Sequence, residues 1–309
     1  MKKTVSIKEL RKEKAREYFL AGNSTCAGCG LELALRWAMK ALGPRTVLVA
    51  PASCLNVVVG LWPKTAPDFP FINMAFAAGA AAASGVRAAL DARGVEDVNV
   101  LVFAGDGGTT DIGLQGLSGA AERGDDIIYC CYDNEAYMNT GRQRSSSTPY
   151  GALTTTTPLG KVRQKKNLPR IMAAHDLPYV ATASVSDVRD LYQKFLKAKD
   201  IRGCKYIHVL APCPPGWRYP SSDTVQIARL AVETGMWVLY EIENGVLRLT
   251  GKSKSLLDKT KRKPVVEYLV KQGRFKKVLA NEGDVTVLQD YVDRSWRQLA
   301  HDLEFSCSP

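Results

Sequence analysis

The sequence predicts an α/β fold: a mostly parallel sheet flanked by helices, followed by a C-terminal extension. Three observations carry this. Short apolar, β-rich runs recur at 46–50 ("TVLVA"), 98–103 ("VNVLVF"), 126–132 ("DIIYCCY") and 205–211 ("KYIHVLA"). Loops and helical stretches alternate with them, as parallel strands require. With 309 residues, 46% hydrophobic and 24% charged, the chain can bury a large core.

Taken in order, the first 20 residues read as a polar arm, "MKKTVSIKELRKEKAREYF", charged and without the apolar centre of a secretory signal. "GNSTCAGCG" at 22–30 is a loop feeding a helix at 31–42, which Gly43-Pro44 ends. The strand at 46–50 leads into the loop "PASCLNV". "NMAFAAGAAAASGVRAAL" at 73–90 reads as a small-residue helix suited to close packing, including against another chain. It is too short and weakly apolar to cross a membrane. Strand 98–103, the loop "GDGGTTDIG", a helix at 114–124 and strand 126–132 form one strand–helix–strand unit. A long Ser/Thr/Gly-rich loop spans 140–160, of the kind that is usually functional. Helices are expected in "NLPRIMAAH" and "SVSDVRDLYQKFLKAKD", then the strand at 205–211 ending in "PCPPGW". Residues 1–217 are therefore taken as one domain. Residues 218–309 are taken as an extension carrying a hairpin in "WVLYEIENGVLRLT", packed on that domain and on partner chains.

The net charge of +11 peaks in "KSKSLLDKTKRKP" and "GRFKK". No aromatic–basic interleaving accompanies it, so it reads as a solvated face or subunit contact rather than a nucleic-acid site. Eight unevenly spaced cysteines do not suggest a disulfide scaffold. A cytoplasmic protein with reduced thiols, and no membrane association, is expected.

Two constellations carry chemistry. Asp106 follows a buried strand between Gly105 and Gly107, and Asn134 follows the next strand. A right-handed crossover brings these strand ends together on one sheet edge, where open α/β sheets bind ligands. One anionic and one amide oxygen, with the Ala136 carbonyl, suit Mg²⁺ or Ca²⁺ shared with a diphosphate. Walker and Rossmann glycine patterns are absent. The second constellation is Cys26-x-x-Cys29, Cys54 after one strand and Cys213 after another. If those strands are parallel neighbours, four thiols reach one edge, as a zinc site or a [4Fe–4S] cluster requires. On spacing alone, zinc is the stronger reading. Cys130 and Cys131 read as buried strand residues, Cys204 as the runner-up ligand, and Cys307 as incidental.

"GDGGTTDIG" through "DNEAYMNTGRQRSSSTPYGA" resembles the thiamine diphosphate signature of the β subunits of 2-oxoacid:ferredoxin oxidoreductases, those acting on pyruvate above all. "CAGCG", the Cys54 loop and "APCPPGW" resemble the cluster ligands of that family, and the C-terminal segment resembles theirs too. The resemblance covers nearly the whole chain and raises iron–sulfur above zinc. It implies the diphosphate module of the thiamine diphosphate-binding fold. It implies Mg²⁺ on Asp106, Asn134 and the Ala136 carbonyl, with Gly105, Gly107 and Met138 bordering the diphosphate. Asn139 would face the thiazolium and substrate as the catalytic residue. Ser53, Cys54 and Leu55 would touch the cofactor, while Cys26, Cys29, Cys54 and Cys213 hold a [4Fe–4S] cluster. The implied reaction is coenzyme A-dependent oxidative decarboxylation of a 2-oxoacid, with electrons passing to ferredoxin. The implied partners are a pyrimidine-side α subunit, a γ subunit and a ferredoxin-like cluster subunit or domain, because no second α/β module is present after Trp217. The chain departs from the family in "LNVVVGLWP" and "FINMAF", where a basic glycine-rich segment and a His-Gly-Arg stretch are usual. The acid could then be pyruvate, oxalate, 2-oxoisovalerate or 2-oxoglutarate. A non-oxidative thiamine enzyme and a zinc or electron-transfer module are the other readings.

Overall fold

The computed structural model describes Leu10 and residues 17–306. Cys307 and most of the N-terminal arm lie outside the described residues. Helix α1 (Gly30–Leu42) buries Leu31, Ala34, Leu35, Ala38 and Met39, the 3–4 spacing of a one-sided helix. Strand β1 (Thr46–Pro51) ends at a short helix, α2 (Cys54–Val59), capped by Ser53. Strand β2 (Phe71–Met74) precedes helix α3 (Gly79–Ala92). Strand β3 (Asn99–Gly105) runs through a π-helical turn (Gly107–Ile112) into α4 (Leu114–Glu122) and β4 (Ile128–Asp133). After the long loop come α5 (Leu168–Ala173), β5 (Tyr179–Ser184), α6 (Val188–Lys199) and β6 (Lys205–Leu210). The C-terminal part begins with α7 (Pro214–Trp217), α8 (Thr224–Glu233) and the strands β7 (Tyr240–Glu243) and β8 (Val246–Leu249). Helices α9 (Val266–Leu269), α10 (Lys276–Leu279) and the long α11 (Glu282–Ser306) complete it.

The strands form one sheet in the order β2-β1-β3-β4-β6-β5-β7-β8. The first six are parallel; β7 and β8 join antiparallel. Strands β3, β4, β5 and β6 are buried almost throughout, as strands covered on both faces must be. The chain order reverses direction between β1 and β3, the topological position where such sheets open a crevice at their carboxyl ends.

The loops expected in "PASCLNV" and "GDGGTTDIG" carry a short helix and a π-helical turn, and two further elements differ from the sequence reading. The helix expected over 73–90 is helical only from Gly79, because "FINM" pairs with β1, Phe71 opposite Leu48 and Met74 opposite Pro51. Pairing outweighs helix propensity there. Strand β5 was not anticipated: "YVATAS" alternates small residues and carries little apolar weight, yet it is fully buried between β6 and β7.

Candidate functional site

Four adjacent strands, β1, β3, β4 and β6, end along one edge. Their carboxyl ends deliver the Cys54 loop, Asp106, Asn134 and Cys213 in that spatial order. The oxygen ligands expected from the sequence therefore sit in the middle, with cysteine loops on either side.

The middle is tightly built. Gly105 on β3 lies opposite Tyr132 on β4. A Cβ on Gly107 would fall 2.4 Å from the Tyr137 ring, so only glycine lets that turn lie against the loop. Thr109 and Thr110 donate their hydroxyls to the carbonyls of Gly105 and Asp106, each at 2.8 Å, within the π-helical turn. Asp106 is completely buried and accepts a hydrogen bond from Ser145 of the long loop. Burial, with the Asp133 carboxylate nearby, pushes its acid well above the ordinary carboxylate range. The Ser145 hydrogen bond and the Lys165 charge offset only part of that cost.

The Asn134 carboxamide supplies the complementary clue. One terminal atom lies 2.8 Å from Asp106 Oδ1 and 2.9 Å from the Ala136 carbonyl. With the amide nitrogen turned inward, it donates to both. With the oxygen turned inward, three oxygens meet at one corner and need a cation between them. The two separations from Asn134, 2.8 and 2.9 Å, are close to the edge of an octahedron with Mg²⁺–oxygen bonds of 2.0–2.1 Å, about 2.9 Å. Asp106, Asn134 and Ala136 thus fit a small hard cation.

The thiols are arranged differently. Cys26, Cys29, Cys54 and Cys213 line a single cavity of about 90 Å³ with Asn134 and Asn139. Gly30 makes this possible: its Cβ would meet the backbone of Ala211 and Pro212 at 2.6–2.8 Å, and its N–H donates to the Pro212 carbonyl. The start of α1 is thereby pressed onto the β6 exit. Thr224 Oγ1 ties the Gly28 carbonyl at 2.6 Å. Burial raises the Cys29 thiol and pushes Cys54 and Cys213 up to about 12, with the neighbouring cysteines adding to it. Among the described residues, no three His, Cys, Asp or Glu side chains converge on one metal-ion position. The four thiols instead share the walls of one cavity. Cys204 precedes β6, at the opposite edge of the sheet from Cys213; six residues of strand, about 20 Å, separate them. Cys130 and Cys131 are buried in β4.

A second cavity of about 100 Å³ is lined by Ser53, Cys54, Gly105, Gly107, Asn134, Ala136, Met138 and Asn139. Cys54, Asn134 and Asn139 form the wall it shares with the thiol cavity. Asp106 lies below its floor, and the exposed Asn139 stands at its rim. Met138 packs against Gly216, whose Cβ would meet its sulfur at 2.3 Å. Leu55 differs from the rest: its side chain is in the core beneath α2, and only its N–H takes part locally, donating to Ser53. Sequence reasoning did not anticipate Phe76 and Tyr137 in this wall, nor the buried Glu135 and Arg274 and the half-buried Lys165 behind it. Adjacent acids in "DNE" and the paired lysines of "QKKN" were the available signal.

Comparison with known proteins bears on this arrangement. Residues 61–209 match the family described as "Thiamine pyrophosphate enzyme, C-terminal TPP binding domain". The chain is 54% identical to the pyruvate synthase subunit PorB of Methanothermobacter marburgensis, over 92% of this chain and 97% of that one. It belongs to the family of 2-oxoacid:ferredoxin oxidoreductase β subunits. Another relative in that family is the ketoisovalerate oxidoreductase subunit VorB of Pyrococcus abyssi, 47% identical over 92% of each chain. A solved 2-oxoglutarate:ferredoxin oxidoreductase from Magnetococcus marinus shares the fold, with TM-score 0.56 at 21% identity, covering 70% of this chain and 80% of that one. This chain is thus an enzyme subunit of the pyruvate synthase type, built on the thiamine diphosphate-binding fold. No helix among the described residues is long and apolar enough to cross a membrane.

Proposed function

We propose that this subunit binds thiamine diphosphate through Mg²⁺ on Asp106, Asn134 and the Ala136 carbonyl, and holds a [4Fe–4S] cluster on Cys26, Cys29, Cys54 and Cys213. The assembled enzyme would convert pyruvate and coenzyme A to acetyl-CoA and CO₂, passing an electron pair to ferredoxin in single steps. The observation that carries the reading is the approach of the Asn134 carboxamide to Asp106 Oδ1 at 2.8 Å and to the Ala136 carbonyl at 2.9 Å, spacings that suit Mg²⁺ once its oxygen faces them.

Thiamine diphosphate supplies the electron sink for decarboxylation. The chain's residues do the rest. Asp106 and Asn134 would hold the cation that binds the diphosphate, with Gly105 and Gly107 letting the backbone come close to it. Asn139, at the rim, is placed to hydrogen-bond the substrate carboxylate or carbonyl. Cys54 stands in the wall between the two cavities, so electrons would cross a single layer of side chains. The thiamine cavity opens outward, and the pyrimidine side would come from a partner α subunit. Further γ and ferredoxin-like chains would bring coenzyme A and additional clusters. The exposed small residues Ala81, Gly85, Ala88 and Ala92 on one side of α3 suit close contact with such a chain. In this reading residues 1–217 carry both cofactors, and residues 218–309 brace them in a cytoplasmic complex.

The similarity to a ketoisovalerate oxidoreductase subunit supports a second reading, in which 2-oxoisovalerate is the acid. Anaerobic purification with the partner chains, followed by iron, sulfide and thiamine diphosphate analysis, tests the cofactors. Coenzyme A-dependent ferredoxin reduction with each acid separates the substrates. The chain reconstituted alone should give no turnover until its partners return; robust activity of the single chain would refute the divided active site.

A further inference from the structure

Glu135 stands between two of the proposed metal ligands, Asn134 and Ala136. Its φ is +64°, in the left-handed region that side-chain-bearing residues seldom enter. It is also 4% exposed. A glycine would satisfy that backbone freely, yet the chain places a buried acid there.

The surroundings explain what the acid does. Lys165 Nζ reaches Glu135 Oε1 at 2.8 Å and Asp133 Oδ2 at 3.0 Å. Arg274, from the C-terminal part, forms an ion pair with Glu135 Oε2 at 2.6 Å without hydrogen-bond alignment, is braced by Gln272 at 2.9 Å, and sets its guanidinium carbon 3.7 Å from the Trp217 ring centre. Trp217 Nε1 in turn donates to the Asn134 carbonyl at 2.7 Å. Thr148 Oγ1 donates to the Glu135 carbonyl at 2.6 Å, and His208 Nε2 lies 2.9 Å from Asp133 Oδ2. Asp133 and Glu135 are therefore gripped from behind, while the Asn134 carboxamide between them points forward to Asp106. Gathering so many charges in a dry place is costly, and hydrophobic residues of similar volume would often stabilise as well. What they could not do is grip a residue through its side chain in an unfavourable backbone state.

We propose that Lys165 and Arg274 are positioning residues: by clamping Glu135 in its left-handed conformation they aim the Asn134 carboxamide and the Ala136 carbonyl at the cation. This rests on the metal assignment above and deepens it.

The test uses the full chain co-purified with its partners and Mn²⁺ as probe. Mn²⁺ binding in the presence of thiamine diphosphate is read by electron paramagnetic resonance. Wild type should show a saturable site and Asp106→Asn none. In Glu135→Gln and in Lys165→Met the Mn²⁺ dissociation constant should rise about 10–100-fold, as for other supports behind metal ligands. Iron content should stay unchanged, and kcat should return to near wild type at saturating Mn²⁺. Arg274→Gln should act in the same direction, and it keeps the proposal testable if Lys165→Met fails to fold. Folded Glu135→Gln and Arg274→Gln proteins with wild-type Mn²⁺ affinity would overturn the clamp while leaving the metal site standing. A wild-type protein without the Mn²⁺ signal removes the site, and the clamp with it.

Discussion

The two cavities at the sheet edge share a wall but are built on opposite plans. Around Asp106 the proposed ligands leave adjacent parallel strands, 28 residues apart in sequence, and the Asn134 carboxamide already lies 2.8 Å from Asp106 Oδ1 and 2.9 Å from the Ala136 carbonyl. Around the thiols the ligands come from loops 187 residues apart, and they surround an open space. The first site is made by the sheet. The second is made by docking α1 onto the β6 exit, a contact that depends on Gly30 having no side chain. A rigid frame suits a small cation with strict geometry. An assembled rim suits a body large enough to complete the packing itself.

The most forceful way to break this comparison is Asp106→Asn. It keeps the shape and removes the only anion among the three proposed oxygen ligands. Thiamine diphosphate affinity across a Mg²⁺ titration should fall by at least about 100-fold, with the cluster absorbance unchanged. Parallel loss of both cofactors would show that the sites are not independent.

Next in size is Cys213→Ser. A hydroxyl is a poor ligand for iron, so anaerobic preparations should lose most of their iron while Mg²⁺-dependent thiamine diphosphate binding persists. Cys204→Ser should keep its iron, because that thiol lies at the far edge of the sheet. The reverse pattern would mean that the cluster is not at this rim.

Cofactor binding should also stabilise unevenly. At 100 times its dissociation constant, a ligand specific for the folded state adds about 2.7 kcal/mol. Mg²⁺ with thiamine diphosphate should therefore raise the melting temperature of wild type and leave Asp106→Asn unmoved. Without cation, Asp106→Asn should melt above wild type, because an amide carries no charge to be penalised by the burial and the Asp133 carboxylate that push the Asp106 acid up. Scanning calorimetry reads both shifts.

The smallest effect concerns the long loop that supplies Ser145. Lys161 pins it by donating to the carbonyls of Ser146 and Thr148. Burial, aided by Arg144 and Lys165, lowers the Lys161 amine to about 8, against 10.5 in the unfolded chain. Between those values the unfolded state binds more protons, so this group's contribution to stability rises with pH. Urea midpoints from pH 8 to 10.5 should climb in wild type relative to Lys161→Met. Equal slopes would place the amine in solvent.

What could be read in advance follows the same division. The strand ends were legible because a buried apolar run followed by Gly-Asp-Gly, and another followed by Asp-Asn-Glu, declare in a few residues the sheet and the edge at which both acids and amide emerge. Strand β5 was not, since "YVATAS" owes its place to neighbours far away in sequence. Cys213 could be proposed over Cys204 by its place after a strand, and the structure separates the two as that argument requires. The resemblance implies that Leu55 touches the cofactor; a helix begins at Cys54 and turns the Leu55 side chain into the core, so its backbone is what faces the Ser53 turn. The clamp on Glu135 escaped notice because its cations arrive from residues 165 and 274, and charge alone does not reveal burial.

The four proposed cluster cysteines are unequal in one further respect. Cys26 is exposed, while Cys29, Cys54 and Cys213 are partly covered by protein. A cluster held among them would meet the outside world at one corner. That corner is where an electron acceptor can come near, and equally where dioxygen can. Sensitivity to air and speed of electron delivery would then rise and fall together, governed by whichever partner chain covers Cys26.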